Sequence, residues 1–159
     1  MKILVVDDEV VSRTKMKSIM DGIGQCAVAE SGAEALSAFK VALEEKRPFD
    51  LVTLDVGMPD MEGSEVLVEM RNLEQHSAGL RKTKIMMVTA HSEQETIMAC
   101  IQAGCNGYIV KPFDKDTVIA RLKKFNFQSL KLAQITVKPK KLSVCDEVVR
   151  RFNNDEVQL

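Results

Sequence analysis

The stretch LVTLDVGMPDMEG, from Leu51 to Gly63, is where the reading of this chain begins. Leu51, Val52, Thr53 and Leu54 have the apolar, β-branched character of a strand buried on both faces. The charge of Asp55, which follows directly, is tolerable only where that strand meets water. Gly57, Pro59 and Gly63 then break the chain into a loop. In an open parallel sheet, ligands and chemistry gather outside the carboxyl ends of the strands, which is where this reading puts Asp55. An Asp ahead of Gly and Pro also serves commonly as a plain turn cap, so the remaining strands must decide between the two roles.

They repeat the design. Lys2 to Val6 is an apolar run that ends in Asp7, Asp8 and Glu9, and Ile85 to Val88 is another that ends in Thr89, Ala90 and His91. Tyr108 to Val110 ends in Lys111 and Pro112, and Cys26 to Ala29 forms a further short strand. Helical periodicity fills the gaps. Val11, Met16, Ile19, Met20 and Ile23 mark a helix from Val10 to Gly24. Ser31 with Glu34 reads as a capping box that opens a helix through Ala35, Leu36, Phe39 and Leu43. Ser64 precedes Val66, Leu67 and Met70; Ser92 with Glu95 precedes Ile97, Met98 and Ile101; Asp114 caps a last helix that carries Val118, Ile119, Leu122 and Phe125 inward. Strand and helix alternate five times. The pattern predicts an α/β fold: a doubly wound parallel sheet of five strands with right-handed crossovers and helices on both faces. The flavodoxin-like order 2-1-3-4-5 has its switch point between the first and third strands, which brings Asp7 and Asp8 beside Asp55.

A chain of 159 residues has room for one full core and an appendage. The boundaries fall at 1–125 for the domain and 126–159 for a C-terminal extension, with a strand over Leu130 to Val137 and a short helix over Leu142 to Phe152. At 45% hydrophobic, 28% charged and a net charge of -1, the chain has no bulk electrostatic pull toward nucleic acid or anionic membrane. The extension carries six basic against four acidic residues, too weak and too short for a helix-turn-helix or winged-helix output domain, so no direct nucleic-acid contact is expected. The start, MKILVVDDE, lacks the features of a signal peptide, and no apolar run approaches the roughly 20 residues that span a bilayer. The expected location is the cytoplasm, with no membrane association. Cys26, Cys100, Cys105 and Cys145 show no paired spacing and read as reduced, mostly buried thiols.

Three carboxylates converging at a sheet edge repel one another unless something positive sits among them. Hard oxygen donors with no His or Cys nearby favour Mg²⁺, or a close relative such as Mn²⁺, over zinc. Thr89 and Lys111 reach the same rim from the fourth and fifth strands. A hydroxyl and an ammonium beside metal-bound carboxylates suit a phosphoryl group, with Asp55 as the nucleophile that accepts it.

Residues 1 to about 125 therefore resemble the receiver domain of two-component response regulators. The resemblance is carried by the pair Asp7 and Asp8, by Asp55 with its DxxMPxMxG loop, by Thr89 before the small Ala90, and by Lys111 before Pro112 and Phe113. Tyr108 falls at the family's switch aromatic. The resemblance implies that Asp55 accepts phosphate from a sensor histidine kinase or phosphotransfer protein, that Asp8 and Asp55 ligate Mg²⁺ directly, that Gly57 lends a carbonyl and that Asp7 acts largely through water. The resulting signalling module catalyses only its own phosphorylation and dephosphorylation. Its switch draws Thr89 inward and turns Tyr108 from a solvent-exposed to a buried rotamer, reshaping the fourth-helix and fifth-strand face for a downstream protein target. Homodimerisation through the extension or the fourth-helix face is a further expectation. Two rivals stand beside this reading: a haloacid-dehalogenase-like phosphatase, which ordinarily keeps its acidic residues as DxD near the N-terminus, and a degenerate receiver acting as a scaffold.

Overall fold

A computed structural model describes residues 1–90 and 94–125. Its elements alternate in chain order: β1 (Lys2–Val6), α1 (Val10–Asp21), β2 (Gln25–Ala29), α2 (Gly32–Glu44), β3 (Leu51–Asp55), α3 (Gly63–Gln75), β4 (Lys84–Thr89), α4 (Gln94–Gln102), β5 (Gly107–Val110) and α5 (Lys115–Lys123). All four strand pairings are parallel, and the order is β2-β1-β3-β4-β5, as the alternation predicts. The expected extension at 126–159, with its strand and helix, lies outside the described residues, as do His91 and the Ser92 cap.

The sheet is covered on both faces, and strand alternation assigns each side chain to one of them. Ile3, Val5, Leu51, Met86, Val88 and Ile109 pack with Met16, Ile19 and Met20 of α1 and Val118, Ile119 and Leu122 of α5. Leu4, Val6, Val52, Leu54, Ile85, Met87 and Tyr108 pack on the opposite side with Phe39, Val66, Leu67, Met70, Ile97 and Cys100 from α2, α3 and α4. β3, at the centre, is buried along its whole length. Carrying the parity past the strand ends puts Asp7, Asp55 and Lys111 in register with the α1/α5 face, and Thr89 with Tyr108 on the face that α4 covers.

Local chemistry fixes the ends. The Ser31 side chain accepts from the Glu34 amide at 3.1 Å, and the Asp114 side chain accepts from the Thr117 amide at 2.8 Å. α4 stops in a Schellman arrangement, in which the Cys105 amide donates to the Cys100 carbonyl and Gly104 takes a φ of 94°, a conformation that favours glycine. Arg71 on α3 then ties that end down. Its guanidinium donates to the carbonyls of Gly104 and Thr83, to the Asn106 side chain and to Glu74, all at 2.7–3.0 Å.

Two details depart from the sequence reading. Val11 was expected on the inner face of α1, yet Val10 and Val11 are exposed, while Ser12 and Arg13 turn inward. The Ser31 box is not reciprocal: the Glu34 carboxylate accepts from the Glu30 amide, one residue before the cap. Tyr108 is fully buried among the α4-side core residues, the inward of the two rotamers that the expected switch names. Its ring adds a large apolar area to a face that has only short α4 above it, and burial of that area favours the inward rotamer. Among the described residues Cys26, Cys100 and Cys105 are unpaired thiols, and burial pushes those of Cys26 and Cys105 up to about 12.

Candidate metal centre at the carboxyl edge of the sheet

β1 and β3 are neighbours, so Asp7 and Asp8, just past the end of β1, face Asp55, the last residue of β3. One carboxylate oxygen from each lies within 4.8 Å of the others. Asp7 and Asp55 are buried and Asp8 is exposed. β4 and β5 add the other two groups. Val88 of β4 is the register partner of Asp55, which places Thr89 one residue beyond it, and the Lys111 amide donates to the Thr89 carbonyl at 2.6 Å. The Lys111–Pro112 peptide bond is cis. From there Lys111 Nζ comes to 2.9 Å from Asp7 Oδ2 and 3.2 Å from Asp55 Oδ2, with Glu9 Oε2 at 4.0 Å. The sequence-predicted carboxylates and ammonium are thus brought together.

The electrostatics agree with the geometry. Burial and the neighbouring Asp7 charge push the Asp55 carboxyl above the usual carboxylate range, against the pull of Lys111 and a hydrogen bond from the Gly57 amide. Burial works against the Lys111 charge as well, but the hydrogen bond to Asp7 and the charges of Asp55 and Asp7 outweigh it and hold the ammonium above its ordinary 10.5. Gly57 turns its amide toward Asp55. A side chain added at Gly57 would meet nothing within 4 Å, so the space outside this turn is open.

The three carboxylates are not equivalent. Asp7 Oδ1 accepts from the Glu9 amide at 2.9 Å, and its Oδ2 accepts from Ser12 Oγ at 2.6 Å as well as from Lys111. Its lone pairs are therefore largely committed to the protein, whereas the exposed Asp8 carboxylate stands toward the open side. Arg13, one turn into α1, donates to the Asp7 carbonyl at 2.8 Å and the Asp8 carbonyl at 3.2 Å, and pairs with Glu30 at 2.6 Å. Ser12, Arg13 and Glu30 escaped the sequence reading because a serine and an arginine in a helix look solvated unless their acceptors are known. The signal that was available is the position of Ser12 and Arg13, four and five residues past Asp8. Hard carboxylate oxygens at this spacing, with no sulfur or imidazole donor in the cluster, fit an oxygen-loving divalent cation. Gly63 closes the loop beneath: an added Cβ would overlap the Asp55 carbonyl oxygen, so α3 can begin this close to β3 only at glycine.

Comparisons with known proteins agree with this arrangement. The family model described as "Response regulator receiver domain" matches residues 3–123. The chemotaxis protein CheY of Bacillus subtilis is 36% identical over 125 residues, which cover 77% of this chain and 95% of that protein. Among solved structures, the receiver domain of the histidine kinase CKI1 from Arabidopsis thaliana, complexed with Mg²⁺ and BeF3⁻, matches with a TM-score of 0.68 at 27% identity, covering 77% of this chain and 87% of that one. The CheX-CheY-BeF3-Mg complex from Borrelia burgdorferi matches with a TM-score of 0.69 at 25% identity, covering 80% and 90%. No helix among the described residues is long and apolar enough to cross a membrane.

Proposed function

The chain belongs to the response regulator receiver family of two-component systems, and we propose that within this phosphorylation-controlled signalling module Asp55 is the residue that takes the phosphoryl group. The observation that carries the assignment is the position of Lys111 Nζ, 3.2 Å from Asp55 Oδ2 and 2.9 Å from Asp7 Oδ2, beside three carboxylates that close on one point.

An Asp55 carboxylate oxygen forms the new bond to phosphorus as the bond from phosphorus to the donor, an imidazole nitrogen or an acyl oxygen, breaks and the donor leaves with its electron pair. Lys111 pairs with a phosphoryl oxygen, and the Thr89 hydroxyl donates to another. Asp8 and Asp55 would hold Mg²⁺ or Mn²⁺ directly, with the Gly57 carbonyl, and Asp7 would act through water because its own oxygens already serve Ser12, Glu9 and Lys111. The bound cation supplies charge neutralisation between the acidic groups and the phosphoryl oxygens. Thr89 shares the α4 face with Tyr108, so a hydroxyl drawn toward the phosphoryl group acts on the packing beneath α4. With Tyr108 already buried, the switch we propose is a shift of α4 over a seated ring and not the entry of the ring itself. The donor is a histidine kinase or phosphotransfer protein, the output a protein that reads the α4/β5 face, and the unit that does this is residues 1–125, in the cytoplasm.

The test is phosphorylation with acetyl phosphate, or binding of beryllofluoride. Modification should need Mg²⁺, vanish with EDTA and vanish in Asp55→Asn; label that persists in Asp55→Asn overturns the assignment.

A further inference from the structure

We infer that Arg13 is a positioning residue for the metal centre: its guanidinium grips the main chain of the acidic pair from behind and so fixes where the Asp8 and Asp7 carboxylates stand. The inference rests on the metal reading of the site and goes beyond it to a residue that touches neither cation nor phosphoryl group.

The acidic pair sits in a three-residue link, Asp7 to Glu9, between the end of β1 and the start of α1. Such a link has no ladder of its own after the Asp7 amide, which donates to the Ala29 carbonyl at 3.2 Å. Two carbonyls then need partners as the chain turns away from the sheet. Arg13 Nη1 supplies both, at 2.8 Å to Asp7 and 3.2 Å to Asp8. With those carbonyls pointing at Arg13, the peptide planes are set, and the carboxylates emerge toward Asp55 and Lys111. The guanidinium is suited to this. It is planar, always charged and offers donors in a fixed fork, so a single side chain can hold two carbonyls with Nη1 and the Glu30 carboxylate with Nη2.

Burial separates Arg13 from an ordinary surface cation: its side chain is 10% exposed, against 67% for its partner Glu30. A charge is kept this far from water only where its hydrogen bonds are made, and here two of them go to the residues that carry the candidate ligands. Ser12 completes the arrangement from the neighbouring position by fixing Asp7 Oδ2 at 2.6 Å, which leaves Asp8 as the acidic-pair member free to approach a cation. Residues that orient ligands in this way commonly change metal affinity by about ten- to a hundred-fold when removed.

The test compares Mg²⁺ binding with thermal stability in the full chain, by calorimetric titration with MgCl₂ and by amide shifts of Asp7 to Glu9. Arg13→Ala should weaken Mg²⁺ by about ten-fold or more. Arg13→Lys keeps the charge but not the fork and should fall between it and the native chain. Met20→Ala, a core truncation on the same helix, should lower the melting temperature without moving Mg²⁺ affinity. Native-like Mg²⁺ affinity in both Arg13 variants overturns the inference, and so does an equal loss in Met20→Ala, which would mean that Mg²⁺ binding merely follows stability. A native chain that itself fails to bind Mg²⁺ takes down the metal reading and this inference with it.

Discussion

Lys111 Nζ stands 3.2 Å from Asp55 Oδ2, reaching it from a strand two places away across the sheet, with β4 between them. It is also 2.9 Å from Asp7, so one ammonium offsets two buried carboxylates at the same time. Replacing it with methionine keeps an unbranched side chain, one atom shorter, and removes the charge. Lys111→Met should lower stability at pH 7 in EDTA by about 1–3 kcal/mol, because Asp7 and Asp55 are left facing each other without compensation. Saturating Mg²⁺ should restore much of that loss. Urea unfolding with and without the cation measures both numbers.

A pH dependence follows from Asp55. Its carboxyl binds a proton more readily in the folded chain than the ordinary value of 3.8 implies, first through burial and then through the Asp7 charge. Its favourable contribution is therefore complete below 3.8 and is lost as pH rises through the elevated value, so ionised Asp55 costs stability at neutral pH. In EDTA, Asp55→Asn should melt a few degrees above the native chain at pH 7 and lose that advantage as the pH falls below the ordinary carboxylate range. With Mg²⁺ present the order should narrow or invert, since only the native chain gains from the cation. Melting curves from pH 3 to 8 decide it.

Arg71 should be as costly to remove as a core residue although it lies on a helix surface. Truncation to alanine leaves the Gly104 and Thr83 carbonyls without their guanidinium donor and removes the ion-pair partner of Glu74, whose side chain is 4% exposed and keeps the Thr83 amide as a donor. Arg71→Ala should lose about 3 kcal/mol in urea unfolding, and Arg71→Lys should recover little, because an ammonium cannot reproduce the fork.

Gly63→Ala probes the distance between α3 and β3. The added methyl would overlap the Asp55 carbonyl oxygen, so either the helix or the strand end must move. A loss of roughly 2 kcal/mol is expected, together with slower modification by acetyl phosphate, since the strand end carries Asp55, the proposed acceptor. Native stability and native labelling together would show that the loop accommodates the methyl elsewhere.

The sheet and the residues at its rim were legible because each carries a local signature. Each of these strands is an apolar run that ends in a charge, at Asp7, Asp55 and Lys111, and helical periodicity of 3.6 fills the segments between the runs. What escaped was the support. Ser12 and Arg13 occupy positions at which a hydrophobic stripe was expected, displacing Val11 outward, because the first turn of α1 lies over the acidic link and not over the core. Periodicity records which face of a helix is covered, and it is blind to a face covered by carbonyls and a carboxylate. Which rotamer Tyr108 takes was not legible for a related reason: a residue on a β5 of four residues faces whatever α4 leaves above it, and that is a tertiary matter.

Tyr108 has one more property. The chain contains a single tyrosine and no tryptophan, so its near-ultraviolet emission has one origin, a phenol sealed beneath α4 on the face it shares with Thr89. The protein thus carries its own optical reporter at the place where rearrangement is proposed. Quenching by acrylamide, excited-state lifetime and anisotropy of that lone ring read the α4 side of the core without any label, and do so in the unaltered chain.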